Sequence, residues 1–173
     1  MEKLYGFIVD TFNQLIELAS HNEFVLIILA LLAAFGILGQ VVLYYKCGLP
    51  GVASIVPFWN VVVFLKIMGR PAWQSIIVIL PPPIMIYVIW SSMSAEPSMA
   101  MDVAFIASSA VLLIFTVIVY VELCKCFGKN NIGSYISVLL FNGFYVMYLG
   151  MSGDTEYKGP LYGPKATKKD LEK

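Results

Sequence analysis

The chain has 173 residues, 60% of them hydrophobic, and a mean hydropathy of +0.83, so as one globular domain in water it would lack the polar residues for a solvated shell. Lysine plus arginine and aspartate plus glutamate balance at 11 each, so no overall field marks nucleic acid or an acidic polymer as a partner. The lipid bilayer is the expected solvent.

Residues 1–22 do not read as a cleaved signal. Glu2, Asp10 and Glu17 interrupt them, and no basic start leads into an apolar core with a small-residue cleavage site. Leu4, Ile8, Phe12, Leu15 and Leu18 recur at helical spacing while Asp10, Asn13 and Glu17 lie on another side, which predicts a short amphipathic helix at the membrane interface. Residues 23–150 then read as a helical membrane domain with apolar runs at 24–45, 73–90, 103–123 and 132–150. Each is close to the roughly 20 residues needed to cross a bilayer core of about 30 Å.

Run 24–45 carries Ala30, Ala33, Ala34, Gly36 and Gly39, small residues that let a neighbouring backbone approach closely. Gln40 is expected to hydrogen-bond across helices, the alternative being that it marks a polar pathway, and Tyr44, Tyr45 and Lys46 mark an interfacial boundary. Residues 52–68 are apolar but interrupted by Pro57 and Asn60. They predict an interfacial or shallow re-entrant helix opened by Pro57, with Gly69-Arg70-Pro71 ending it.

Pro81, Pro82 and Pro83 sit in the middle of 73–90. They remove the donors that would bond the carbonyls of Ile77, Val78 and Ile79, so a continuous α-helix is not expected. Each half of the run reaches only about 12 Å, which leaves a sharply broken crossing or a re-entrant hairpin turning at the prolines. Freed carbonyls and helix ends of this kind bind ions or substrates in transporters; the alternative is a structural kink covered by neighbours. Run 103–123 reads as an ordinary crossing whose Ser108 and Ser109 bond back to the helix or across to a neighbour. Run 132–150 reads as the return crossing, with Asn142 its strongly polar interior residue, and 151–173 as a flexible polar tail.

Charge placement bears on orientation. With four full crossings, Lys3 and the tail lysines 158, 165, 168, 169 and 173 face one way, and Lys46, Lys66, Arg70, Lys125 and Lys129 the other, which is no bias. A re-entrant 73–90 moves the tail to the side of Lys46, Lys66 and Arg70, and the positive-inside rule then favours an outside N-terminus and an inside tail.

The inventory offers no catalytic constellation. His21 is the sole histidine, and Cys47, Cys124 and Cys126 are thiols at membrane boundaries without a ligand set around them. No catalytic, cofactor-binding or metal-binding residue is assigned, and no cofactor is expected.

A family resemblance rests on Cys47-Gly48-Leu49-Pro50-Gly51 through Pro57-Phe58-Trp59-Asn60, then Gly69-Arg70-Pro71, the later Glu122-Leu123-Cys124-Lys125-Cys126-Phe127-Gly128-Lys129, and Tyr157-Lys158-Gly159-Pro160. These segments, within roughly 36–160, resemble a family of small polytopic bacterial membrane proteins of unknown function. Its pattern has a tryptophan where this chain has Val52, and a stretch between Pro81 and Glu122 shorter by about one crossing. The resemblance implies family-motif positions at Pro50, Gly51, Pro57, Asn60, Gly69, Arg70, Pro71, Phe127, Gly128, Lys129, Tyr157, Gly159 and Pro160. Some members of that family are fused in front of a type I signal peptidase, whose serine–lysine chemistry sits in a separate exported domain. This chain is expected to stop before such a domain and to have no enzymatic activity of its own.

The expected architecture is all-α: an integral membrane bundle of three to four transmembrane segments with an interfacial or re-entrant helix and a proline-broken segment, in the bacterial cytoplasmic membrane. The expected role is a scaffold or accessory subunit with a membrane-protein partner or a second copy of itself. A small transporter or channel component using the proline break is the alternative, and a membrane enzyme related to signal peptidase ranks below both.

Overall fold

The computed structural model describes residues 10, 11, 14, 17, 22–94 and 98–163. Among them every regular element is helical: α1 (Glu23–Lys46), a 3-10 turn (Gly51–Ile55), α2 (Pro57–Met68), a second 3-10 turn (Ala72–Gln74), α3 (Ser75–Ile79), α4 (Pro81–Ser94), α5 (Met99–Cys126), α6 (Ile132–Leu140) and α7 (Asn142–Met151). Polar side chains start three of these helices by accepting from otherwise orphaned amides. Asn22 accepts from Phe24 N at 3.2 Å, Ser98 from Met101 N at 3.3 Å, and Asn131 from Ser134 N at 3.0 Å. Pro57 opens α2 where its missing N–H costs nothing. Of the amphipathic lead-in, Asp10, Thr11, Gln14 and Glu17 are helical and exposed; the rest of that expectation, and the tail beyond 163, fall outside the described residues.

Three helices are long and apolar enough to cross a membrane: α1 with 24 residues, Ala72–Ser91 with 20, and α5 with 28. Of the two expectations for 73–90, the second helix fits a crossing and not a hairpin at the prolines. Leu80 has helical dihedrals (φ −75°, ψ −41°) and donates to Ile76 O at 2.9 Å, so the helical path continues into α4. Pro81, Pro82 and Pro83 occupy the first turn of α4, where ring-locked φ is already helical and N–H groups are not needed within that helix. The damage is confined to the carbonyls behind them.

The sharp reversal lies elsewhere. Run 132–150, expected to cross once, is split into α6 and α7, bent by 120°. Phe141 (φ −116°, ψ 38°) leaves the helical region after donating to Ser137 O, and Asn142-Gly143, poor helix formers, follow it. α7 then runs beside the second half of α1 in the same direction, Gly143 near Gly36, Met147 against Gly39 and Gly150 against Leu43. A Cβ on Gly39 would stand 3.1 Å from the Gly143 carbonyl, so this close approach depends on small residues.

Both ends of the α6–α7 pair therefore lie at one end of the bundle, the end where α1, α2 and α5 terminate and Ala72–Ser91 begins. At 1.5 Å per residue the tip of this hairpin, level with Gly36, stands about 15 Å from the end of α1. Pro81 stands about 14 Å along its own helix from Ala72. Both distances are about half of a 30 Å core, so in such a core the two helix defects would lie near its middle. Tight packing is concentrated on the Lys46 side of them, where Leu43, Tyr44, Leu65, Ile67, Met68, Leu123 and Leu149 are fully buried.

Candidate functional site

The Lys46 end is built from helix termini and a strap, residues 152–163, folded back beneath them. α2 and α5 each stop at a left-handed glycine, Gly69 (φ 80°) and Gly128 (φ 68°). These reverse the chain so that Arg70 N reaches Leu65 O at 3.1 Å and Lys129 N reaches Cys124 O at 2.9 Å. The strap then satisfies the remaining carbonyls: Lys158 N donates to Cys126 O at 2.8 Å, Leu161 N and Tyr162 N to Met68 O at 3.0 Å each, and the Tyr157 hydroxyl to Ile67 O at 2.5 Å. A Cβ on Gly69 would collide with the Tyr162 carbonyl, and one on Gly128 with the Lys158 side chain.

Charged groups lock this end. Arg70 grips Glu122 with two bonds of 2.6 Å and donates to Gln74 Oε1 at 2.7 Å. Its guanidinium also lies 5.2 Å from the Phe115 ring and 5.4 Å from the Tyr162 ring. A two-point fork on a carboxylate that is only 8% exposed is the geometry in which an ion pair specifies position. The Glu122 bond raises the Arg70 pKa still further, and the same carboxylate, accepting from the Tyr162 hydroxyl at 2.9 Å, raises that of the phenol. Lys46 Nζ donates to Leu149 O (2.8 Å), Ser152 O (2.7 Å) and Thr155 Oγ1 (2.7 Å), placing a cation at the C-terminus of α7.

Above this lock, towards the midplane, is a cavity of about 150 Å³ lined by Gln40, Asn60, Val61, Phe64, Leu65, Val78, Phe115, Thr116, Val119 and Tyr120. Its polar wall begins with a relay between helices. Asn60 Nδ2 donates to Gln40 Oε1 at 2.8 Å, while the Tyr44 hydroxyl bonds the Asn60 side-chain oxygen and its carbonyl, the latter at 3.1 Å. The expected cross-helix bond of Gln40 is therefore present, and its partner is Asn60. Asn142, at the hairpin tip, is within side-chain hydrogen-bonding reach of Tyr120.

The structure divides the sequence-derived positions between these two places. Gly69, Arg70, Phe127, Gly128, Lys129, Tyr157, Gly159 and Pro160 converge on the Lys46 end, with the Phe127 and Tyr157 rings 5.5 Å apart and Pro160 beside Gly69. Pro50, Gly51, Pro57 and Pro71 shape the connections leading to it: Pro50 and Pro71 precede the 3-10 turns, and Gly51 packs under the Tyr45 ring. Asn60 belongs to the relay. Of the carbonyls behind the prolines, those of Ile77 and Ile79 belong to half-buried residues that do not line the cavity, whereas Val78 does.

Lys46 and Thr155 carry signals that sequence reading passed over. Lys46 resembles any interfacial lysine, and the burial of Thr155, 2% exposed, follows only from the fold of the strap. Among the described residues no group of three or more His, Cys, Asp and Glu is placed to hold a metal. The three cysteines are free, and burial pushes the Cys47 thiol well above its ordinary pKa, which makes it a poor nucleophile.

No curated protein and no solved structure matches the chain. The segment from Pro83 to Pro160, which holds α5, the α6–α7 hairpin and most of the strap, is similar to a family of unknown function (DUF5684).

Proposed function

We propose that this protein is a non-catalytic subunit of a larger membrane assembly that docks through the outer half of α1. The observation that supports it is that, among the described residues, little packs against that half. α7 accompanies α1 from the contact of the Phe35 and Phe144 rings, 6.1 Å apart, onwards, and before it Phe24, Ile27, Ile28 and Leu31 are exposed. Ala30, Ala33 and Ala34 lie in the same stretch and suit close approach by an apolar helix of a partner or of a second copy. The proposed setting is a bacterial cytoplasmic membrane, with the Lys46 end on the cytoplasmic side.

Purification in mild detergent, with identification of co-eluting chains, tests this reading. Stable stoichiometric company should be lost in an Ala30→Leu/Ala34→Leu variant that remains folded. A wild-type protein that runs as a lone monomer, with its behaviour unchanged by the substitutions, would count against it.

A second reading, a small transporter or channel component, draws support from the cavity between Gln40, Asn60, Thr116, Tyr120 and Val78. It requires a selective flux in proteoliposomes. Wild-type protein conducting nothing across a panel of cations, protons and small neutral solutes would remove it.

A further inference from the structure

Val78 is the one residue of this chain whose carbonyl faces proline at each of the three positions that could bond it along a helix. Pro81 removes the 3-10 donor, Pro82 the α donor and Pro83 the π donor. No other donor among the described residues bonds it. Such a group in hydrocarbon costs several kcal/mol unless something satisfies it.

Val78 is also the residue of α3 that lines the cavity. Two further polar groups there lack partners among the described residues. Gln40 uses its Oε1 to accept from Asn60, leaving its amide nitrogen without an acceptor, and the Thr116 hydroxyl has no hydrogen bond. The residues that carry one orphan acceptor and two orphan donors thus line the same space, with Phe64 and Phe115 as part of its wall.

The volume and chemistry of that space select a class of occupant. About 150 Å³ is the size of an engineered cavity that holds benzene, which sets the scale at one six-membered ring. No Asp, Glu, Lys or Arg lines it, so a bare ion would find no countercharge. We infer that the cavity is a binding site for a neutral ring-sized molecule bearing a hydroxyl, which donates to the Val78 carbonyl and accepts from Gln40 or Thr116. This inference is independent of partner docking and of flux, since it concerns occupancy at equilibrium.

Phenol is the probe and toluene its apolar counterpart, each titrated into wild-type protein in nanodiscs while the side-chain amide resonances of ¹⁵N-labelled Gln40 and Asn60 are followed. Phenol should produce saturable shifts, with toluene about tenfold weaker, equivalent to about 1.4 kcal/mol. Val61→Phe, which fills the cavity, should abolish both responses. Pro82→Ala, which returns an N–H to the Val78 carbonyl, and Thr116→Val should each weaken phenol several-fold and leave toluene unchanged. Circular dichroism and monodispersity establish that each variant is folded. Linear, unsaturable shifts shared by wild type and Val61→Phe would show partition into the bilayer and overturn the site. Phenol no tighter than toluene, or indifferent to Pro82→Ala and Thr116→Val, would overturn the assigned polar contacts, and a cavity holding only water through the titration would overturn the ligand class.

Discussion

The Lys46 ammonium stands 2.8 Å from the carbonyl of Leu149, 103 residues further along the chain, and fastens the returning end of the α6–α7 hairpin to the end of α1. Its other partners, Ser152 O and Thr155 Oγ1, belong to the strap, so one side chain closes both the hairpin and the fold beneath it. Lys46→Met keeps the apolar stem and removes the donors. Thr155 also donates to Leu149 O, at 2.9 Å, so the single variant should lose about 1 kcal/mol, and Lys46→Met/Thr155→Val about 3 kcal/mol, in reversible unfolding from mixed micelles. Lys125, exposed on α5, is the control, and Lys125→Met should stay within about 0.5 kcal/mol of wild type. Equal losses from the two lysines would mean that Lys46 caps nothing.

With α6–α7 turning back at Phe141 and Ala72–Ser91 crossing, every lysine and arginine except Lys3 lies at the Lys46 end or follows the strap that ends there. This asymmetry is much steeper than either count the sequence alone allows, and under the positive-inside rule it supports the proposed cytoplasmic placement of the Lys46 end. Single cysteines on a background without native thiols should report it in intact cells. Ser92→Cys should react with an impermeant reagent added outside, Lys158→Cys only after permeabilisation, and Asn142→Cys, at the midplane tip, from neither side. Protection of position 92 from outside would reinstate a hairpin at the prolines. Labelling of position 142 from outside would turn 132–151 into a crossing.

Strap docking should depend on pH through two phenols. The Tyr162 hydroxyl is raised above the ordinary tyrosine value of 10.0, first by its bond to Glu122, and Tyr157 is raised by burial. A group whose folded pKa lies above its unfolded one gives stability that is fully present below pH 10 and is lost as pH rises through the folded value. Cleavage by a protease active in alkali at Lys158, slow and constant from pH 7 to about 9.5, should therefore accelerate above pH 10. Tyr162→Phe lacks one phenol and should begin with a looser strap and show a shallower rise. A cleavage rate that climbs steadily from neutral pH would assign the strap's hold to other groups.

Composition and run length revealed the all-helical membrane architecture, because a bilayer accepts few solutions for an apolar chain. They could not distinguish which defective run turns back. Pro81–Pro83 look disruptive, yet a proline in the first turn of a helix has a fitting φ and no amide to miss. Phe141-Asn142-Gly143 look mild, yet they supply the reversal, because Gly36 and Gly39 offer α7 a close seat on α1. Glu122 and Arg70, 52 residues apart, stood in recognisable motifs with no sign that they would meet. The cavity was legible only in part: the prolines pointed to Val78, while Thr116 and Phe64 are unremarkable in one dimension.

Replacing all three prolines tests whether they bend the chain or merely leave carbonyls unpaired. Pro81→Ala/Pro82→Ala/Pro83→Ala returns donors for Ile77, Val78 and Ile79, and each newly satisfied carbonyl in hydrocarbon is worth about 1–3 kcal/mol. Greater freedom of the unfolded chain offsets about 0.4–1 kcal/mol per proline. Because Leu80 is already helical, no reorientation of Ala72–Ser91 is required to gain those bonds. The variant should therefore be more stable by roughly 2–6 kcal/mol, with Ser92→Cys still labelled from outside. A destabilised variant, or one whose position 92 changes side, would show that the prolines shape the packing of α3 and α4 against α5 through a bend that an alanine helix cannot reproduce.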